Sequence, residues 1–148
     1  MTGFDADLDE AGLEAFARRL AAVLRVGDIV ALSGTLGAGK TSFARGILRG
    51  LGHVGEVPSP SFTLIQTYDT TPPLWHVDLY RLDSADEADA LGLDDAYDEA
   101  VVVIEWPERL GSRLPAEALW IRLEGAGEAT RRLTATVPGS WEGRWPPK

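Results

Sequence analysis

The sequence predicts a three-layer α/β sandwich around a mixed β-sheet, with a parallel centre and an antiparallel hairpin at one edge. Two short apolar runs, residues 29–32 and 100–104, are typical of strands that are buried on both faces in a parallel sheet. Two further segments, 119–123 and 133–137, alternate between apolar and polar residues. A glycine-containing turn lies between them, which favours an antiparallel hairpin.

The length and composition indicate one folded domain over residues 1–148, with an irregular tail over residues 139–148. The chain has 148 residues, and 45% of them are hydrophobic, which is enough for a proper core. No segment is long and apolar enough to cross a membrane, and the acidic N-terminus lacks the pattern of a signal peptide. We therefore expect a cytoplasmic protein.

The charge and the rare residue types exclude several classes of function. The formal net charge is −9, which disfavours broad electrostatic binding to nucleic acid or anionic membranes. Cysteine is absent, so disulfides, thiol nucleophiles and iron–sulfur clusters are excluded. The chain has 2 histidines, which speaks against a multi-histidine metal site.

Helices are predicted on both sides of the first buried strand. Residues 9–24 form an amphipathic pattern whose apolar face consists of Leu13, Phe16, Leu20 and Val23. A second helix over residues 41–51 follows a glycine-rich turn and ends between two glycines.

The middle of the chain predicts two strands and a further helix. Segments 62–68 and 74–80 have the composition of strands, and the turn Thr-Thr-Pro-Pro separates them. Residues 84–87 match the capping box Ser-x-x-Glu, so we expect a helix that starts there and ends near Gly92.

The strongest functional signal is the sequence GTLGAGKT at residues 34–41, which matches the Walker A pattern G-x-x-x-x-G-K-[ST]. A predicted strand precedes it and a predicted helix follows, so we expect the fold of the P-loop NTPases. Glycines let the backbone N–H groups face phosphates, and the helix N-terminus adds partial positive charge. Lys40 is expected to reach the β- and γ-phosphates, and the Thr41 hydroxyl to ligate Mg²⁺. The predicted nucleotide-binding residues of this motif are Gly34, Gly37, Ala38, Gly39, Lys40, Thr41 and Ser42.

The alternative is a glycine-rich turn that binds nothing. The choice of lysine disfavours it, because the basic residues elsewhere are almost all arginine and the other lysine is Lys148. A compact ammonium is what a phosphate loop uses, and arginine is not equivalent to it.

Two carboxylates are candidates for the rest of the nucleotide site. Glu105 ends the strongest apolar run, and Asp78 follows another predicted strand, which places both at the carboxyl edge of the sheet. Each carboxylate alone is equally consistent with a solvated strand end. The Walker A loop at residues 34–41, which we call the phosphate loop, favours a role in the nucleotide site for both. We interpret His76, which lies between apolar residues, as a hydrogen-bonded structural histidine. Trp106 adjoins Glu105 and is expected to line the site.

In combination these motifs resemble the TsaE (YjeE) family of small bacterial P-loop ATPases. The Walker A sequence is followed by SPSFTL at 59–64, HVDLYR at 76–81 and EWPE at 105–108. The resemblance extends over about residues 9–137. It implies hydrolysis of ATP with Mg²⁺, in the biosynthesis of N6-threonylcarbamoyladenosine at position 37 of tRNA. It also implies action with a TsaB–TsaD complex, which carries out the transfer itself. Because phosphoryl transfer relies on positioned charge, slow hydrolysis by the isolated chain is expected if no arginine reaches the γ-phosphate.

The resemblance also implies roles for individual residues. Lys40, Asp78 and Glu105 would be catalytic, with Asp78 as the candidate for positioning or activating the attacking water. Thr41 and Glu105 would hold the metal. Residues 59–63 would form a switch that senses the γ-phosphate, although Ser61 replaces the more usual threonine. The adenine pocket would draw on Glu10 and on the hairpin near Arg131.

Other functions stay open at this level. A small-molecule kinase usually carries several arginines in a lid, and no such cluster lies between the phosphate loop and Glu105. A nucleotide-binding interaction module without turnover is the third class. Arg81 is a candidate for an arginine that stabilises the transferred phosphoryl group. The acidic stretch 83–99 is interpreted as a solvated helical face, with a docking surface for a basic partner as the alternative.

Overall fold

The computed structural model describes residues 2–60, 63–125 and 127–148. The strands are β1 (Thr2–Asp9), β2 (Ile29–Ser33), β3 (Ile65–Tyr68), β4 (Leu74–Asp78), β5 (Val101–Glu105), β6 (Leu119–Glu124) and β7 (Thr130–Val137). The α-helices are α1 (Glu10–Ala21), α2 (Lys40–Gly50) and α3 (Leu93–Glu99). Short 3₁₀ helices occupy Ala85–Leu91, Pro107–Arg113 and Gly139–Trp141. None of the helices in these ranges is long and apolar enough to span a membrane.

The strands form a 7-stranded mixed sheet in the order β1-β7-β6-β2-β5-β4-β3. The central strands β6, β2, β5 and β4 run parallel to one another. The edges are antiparallel, with β1 and β6 on either side of β7 and with β3 beside β4. The predicted parallel centre and the predicted β6–β7 hairpin are both confirmed.

The edge strand β1 was not predicted from the sequence. It consists of alternating exposed residues (Gly3, Asp5, Asp7) and half-buried residues (Phe4, Ala6, Leu8). Glycine and aspartate disfavour strands when considered locally. The pairing of β1 with β7 over its whole length supplies the backbone hydrogen bonds that override this preference.

Helices α1 and α2 cover one face of the sheet and pack closely against each other. A Cβ atom on Gly46 would lie 2.7 Å from the Cβ of Ala17, and one on Gly50 would lie 2.6 Å from the Cβ of Ala21. The absence of a side chain at Gly46 and at Gly50 therefore lets the two helices approach each other closely. This contact fixes α2, and with it the loop that precedes α2, against the sheet.

The opposite face is covered by α3 and by the 3₁₀ helices Ala85–Leu91 and Pro107–Arg113. The helix predicted from residue 84 to near Gly92 is confirmed as a 3₁₀ helix over Ala85–Leu91, but no side-chain hydrogen bond from Ser84 caps it. Glu87 accepts from the N–H of Asp83, so the capping box does not form. Gly92 adopts a left-handed conformation that ends the 3₁₀ helix, and the α-helix α3 begins at the next residue. Leu93 and Ala96 anchor this helix in the apolar core on this face of the sheet, which we call the second apolar core.

Several predicted boundaries shift. The strand expected over 62–68 begins at Ile65, because Leu64 has a positive φ of 65° that breaks the extended chain. The strand expected over 74–80 ends at Asp78, and the helix expected over 9–24 ends at Ala21. The tail has one short 3₁₀ turn and is otherwise irregular, but it packs Trp141 into the core with 1% exposure.

We expect the Gly46→Val substitution to lower the free energy of unfolding by about 1–3 kcal/mol, because the new side chain overlaps Ala17. Arg45→Val places the same side chain on an exposed position of α2 and should change it by at most about 0.5 kcal/mol. Urea denaturation measures both. Equal effects of the two substitutions would contradict the close packing of α1 and α2.

Candidate functional site

The loop between β2 and α2 lies at the carboxyl edge of the parallel strands. Gly34, Gly37 and Gly39 have positive φ angles of 145°, 78° and 104°, which favour glycine. A Cβ atom on Gly34 would also lie 2.5 Å from the carbonyl oxygen of Leu123. Among the described residues, no side chain caps the N-terminus of α2. The N–H groups of its first turn, which have no partner inside a helix, are therefore available to an anion.

Lys40 is the first residue of α2, and its side chain folds back over this loop. The side chain is buried, with 5% exposure. Its Nζ donates to the carbonyl oxygens of Gly34 and Thr35 at 2.7 and 2.9 Å, and lies 4.2 Å from the centre of the Trp106 ring. Burial lowers the pKa of the Lys40 amine from its ordinary value of 10.5, although nearby carboxylates act in the opposite direction.

Asp78 and Glu105 meet at the same edge because β4 and β5 are adjacent and parallel. The two residues are direct partners in the register of this strand pair, and both are buried, with 4% and 3% exposure. The Thr41 hydroxyl lies 3.1 Å from each oxygen of the Glu105 carboxylate. The structure therefore brings Lys40, Thr41 and both carboxylates to one place.

Asp78 is held by its backbone and its side chain. The Asp78 N–H donates to the carbonyl oxygen of Leu64 at 2.9 Å, and one of its carboxylate oxygens accepts from the N–H of Tyr80 at 2.9 Å. Leu64 in turn donates to the carbonyl oxygen of Pro60 at 2.7 Å. Segment 59–63, which is expected to act as a switch, is thus linked to the Asp78 backbone through Leu64, the residue that follows it. Ser61 and Phe62 of that segment lie outside the described residues.

These groups surround a cleft of about 310 Å³, which we call the main cleft. Its lining comes from the phosphate loop, from α2 and from the ends of β4 and β5. The residues are Leu36, Gly37, Gly39, Lys40, Thr41, Ser42, Ser59, Asp78, Tyr80, Glu105, Trp106 and Arg131.

A smaller cleft of about 250 Å³, the side cleft, adjoins the main cleft. Glu10, Ser42 and Arg131 line it, so the two regions expected to contribute the adenine pocket lie together. Arg131 belongs to both clefts, and its Nε donates to the carbonyl oxygen of Ala38 at 3.2 Å. Arg81, by contrast, is exposed and is not among the described residues that line either cleft.

Two features of the site were not evident from the sequence. Trp106 adopts a left-handed conformation with φ 61° and ψ 50°, which is a genuine outlier for a bulky residue. This turn places its ring close to both the Lys40 ammonium and the Tyr80 ring, whose centre lies 5.0 Å away. His76 is fully buried, and its Nε2 lies 2.6 Å from a Glu105 oxygen. Only the strand pairing brings these two residues together.

The donor set fits Mg²⁺ that is held jointly with a phosphate ligand. Thr41 and Glu105 offer oxygen atoms, the ligand type that Mg²⁺ prefers. The described residues contain no group of three or more acidic, histidine or cysteine side chains that could hold a metal ion by themselves. This is the usual situation for Mg²⁺, which keeps several waters and uses one or two protein oxygens beside phosphate.

The comparisons with known proteins agree with this geometry. Residues 8–133 match the sequence model of the family described as "Threonylcarbamoyl adenosine biosynthesis protein TsaE". The chain belongs to the TsaE family. Every residue discussed for the two clefts lies inside the matched segment.

Individual relatives are similar over most of their length. The TsaE protein of Bacillus subtilis is 41% identical over 129 residues, which cover 86% of this chain and 80% of that protein. The TsaE protein of Streptomyces coelicolor is 42% identical over 136 residues, with coverages of 86% and 90%. A crystal structure of YdiB from Bacillus subtilis superposes with a TM-score of 0.80 at 34% identity and covers 95% of this chain and 90% of that one.

We expect the Lys40 amine to lose its proton below pH 10.5, because burial disfavours the ammonium. Between the folded and the unfolded pKa, the unfolded chain binds more protons. The free energy of unfolding should therefore rise with pH across that window. Nuclear magnetic resonance of the side chains of Lys40 and Lys148 measures the titration, with Lys148→Arg to assign the signals. A Lys40 midpoint at or above pH 10.5 would contradict this expectation.

Proposed function

We propose that this chain is a Mg²⁺-dependent ATPase that acts in the biosynthesis of tRNA N6-threonylcarbamoyladenosine together with a TsaB–TsaD complex. The observation that carries the ATPase proposal is the convergence of the phosphate loop, Thr41 and two buried carboxylates at one sheet edge. Membership of the TsaE family supports the pathway, since its relatives are named for that biosynthesis.

In the proposed mechanism, the phosphate chain binds to the N–H groups of the phosphate loop and to Lys40. In the structure, the Lys40 ammonium donates to the carbonyl oxygens of Gly34 and Thr35, and it lies beside the ring of Trp106. Phosphate oxygens carry more negative charge than carbonyl oxygens and are better acceptors for an ammonium. The contact with Trp106 holds the side chain over the loop before the nucleotide arrives.

Thr41 and Glu105 would hold Mg²⁺, which neutralises the negative charge that builds up on the phosphates. Asp78 is the candidate for orienting the attacking water, because it lies beside Glu105 and its carboxylate is fixed by the N–H of Tyr80. Its backbone contact to Leu64 supports a link between this carboxylate and the segment proposed to sense the γ-phosphate.

The side cleft is the proposed place for adenine. It opens beside the N-terminus of α2, and Glu10, Ser42 and Arg131 contribute polar groups around Leu13. ATP is preferred over GTP in this proposal, because the sequence lacks the Asn/Thr-Lys-x-Asp pattern that reads guanine.

Slow turnover of the isolated chain follows from the position of its arginines. Among the described residues, Arg131 is the arginine that lines the main cleft, and it already donates to the carbonyl oxygen of Ala38. Phosphoryl transfer is strongly accelerated where an arginine stabilises the charge of the transition state. In the proposed function a partner supplies or positions such a group.

The acidic surface is consistent with action on a protein complex rather than directly on tRNA. The formal net charge is −9, and 8 acidic residues lie between Asp83 and Glu99. Arg113 pairs with Asp86 and Asp89, so part of this charge is neutralised within the chain. Most of the tRNA contact is then left to the partners.

Substitution of Lys40 by alanine should abolish measurable ATP binding, because it removes the buried cation that faces the phosphates. Lys148→Ala is the matched control, since it removes the other lysine, which lies in the tail. Isothermal titration calorimetry measures both affinities, and circular dichroism verifies that each variant is folded. An unchanged ATP affinity of folded Lys40→Ala would refute the phosphate-loop assignment.

Addition of purified TsaB–TsaD complex should accelerate ATP hydrolysis by at least about 10-fold, because a partner then completes the charge around the γ-phosphate. Phosphate release and transfer of labelled phosphate to small molecules are measured in parallel. Equal turnover with and without the complex would argue against partner activation. Phosphorylated small-molecule products would indicate a kinase, and binding without any hydrolysis would indicate an interaction module.

A further inference from the structure

His76 lies in the middle of β4, directly under the nucleotide site. It is fully buried and lies on the same face of the strand as Leu74 and Asp78, because alternate residues of a strand share a face. That face is the one covered by α1 and α2, since Leu74 belongs to the apolar core that they share. The imidazole is therefore buried on the side of the sheet that α1 and α2 cover.

The hydrogen bonding of the His76 ring is unusual for a residue whose only role is packing in the core. Its Nε2 lies 2.6 Å from a Glu105 oxygen, whereas its Nδ1 is buried and has no hydrogen-bond partner among the described residues. A buried polar atom without a partner costs free energy that an apolar side chain of similar size would avoid. Packing alone therefore does not explain why this position carries a histidine. The hydrogen bond to Glu105 is the interaction that an apolar side chain could not make.

The direction of this bond follows from the chemistry of its partner. A carboxylate has only acceptor atoms, so the Nε2 atom carries the hydrogen and donates it to Glu105. The Nδ1 atom is left without a hydrogen-bond partner among the described residues. The bond thus holds one oxygen of Glu105 at a fixed position on the strand.

Glu105 has two side-chain hydrogen-bond partners in the described part of the chain, and they differ in what they can do. The Thr41 hydroxyl is itself a proposed metal ligand, so its contact with Glu105 changes when nucleotide and metal bind. His76 stands on a neighbouring strand, in register with Val103, so its backbone is held by the pairing of β4 with β5.

We propose that His76 is a positioning residue, which holds the Glu105 carboxylate towards Thr41 and thereby sets the affinity of the nucleotide site for Mg²⁺. This inference rests on the proposed function, because it concerns the Mg²⁺ that binds with ATP. Groups that orient metal-associated side chains typically change metal affinity by 10- to 100-fold when they are removed.

The test compares amide substitutions that differ in reach. In His76→Gln the amide nitrogen can take the place of Nε2, whereas in His76→Asn it reaches only to the position of Nδ1. Both are polar and uncharged, so both leave a comparable polar group buried. His76→Leu removes the donor and fills the space with apolar atoms. Val103→Ala is the control for packing, because it removes buried methyl groups from the partner position in the strand pair without touching Glu105.

The readout is nucleotide binding as a function of Mg²⁺, measured by calorimetry with a non-hydrolysable ATP analogue. We expect the Mg²⁺ concentration for half-maximal effect to rise at least about 10-fold in His76→Asn and His76→Leu. It should stay within about 3-fold of the wild type in His76→Gln. Binding in the presence of EDTA should be equal in all variants, and Val103→Ala should lower the melting temperature while its Mg²⁺ dependence stays unchanged.

The outcomes separate this inference from the proposed function. An unchanged Mg²⁺ dependence in His76→Leu, or equal values for His76→Gln and His76→Asn, overturns the positioning role. If His76→Leu does not fold, the comparison of the two amides decides alone. A wild-type chain that binds no nucleotide, or binds it without any effect of Mg²⁺, overturns the proposed function and the inference together. A wild-type effect of Mg²⁺ that no His76 variant changes overturns only the inference.

Discussion

The Glu105 carboxylate is the point on which the arrangement of the site depends. It ends the central strand β5, is nearly fully buried, and lies within hydrogen-bond distance of Thr41 on α2 and of His76 on β4. A buried carboxylate is costly unless donors surround it, so these contacts are also a condition of its stability there. One side chain thus joins the helix after the phosphate loop to two neighbouring strands. Any displacement of α2 relative to the sheet changes this contact directly.

The rest of the fold keeps that geometry in place. The glycines of α2 allow it to pack tightly against α1, and both helices lie on the sheet face that carries His76, Asp78 and Glu105. The second apolar core supports β4 and β5 from the other side. The strand ends that form the site are therefore fixed from both faces. The acidic stretch lies on the second face, where its residues Ala88, Leu93 and Ala96 belong to the second apolar core.

The sequence by itself was sufficient for the elements that have strong local signals. The phosphate loop, the buried strands β2 and β5 and the β6–β7 hairpin follow from glycine spacing, apolar runs and alternation. Elements that depend on distant partners were missed or misplaced. The edge strand β1 carries several aspartates and forms because β7 offers a complete pairing edge. The helix α3 is short and acidic, and it depends on anchoring Leu93 and Ala96 in the core.

The candidate site divides in the same way. The motifs are sufficient to predict that Lys40, Thr41, Asp78 and Glu105 meet at one edge of the sheet, because each lies at a strand end or a helix start. The tertiary structure decided three further contacts. His76 donates to Glu105, and the Trp106 ring lies beside the Lys40 ammonium. Arg131 contacts the phosphate loop, although it is separated from Ala38 by 93 residues in the chain. Such contacts join segments far apart in the chain, and only strand order and register determine which side chains meet.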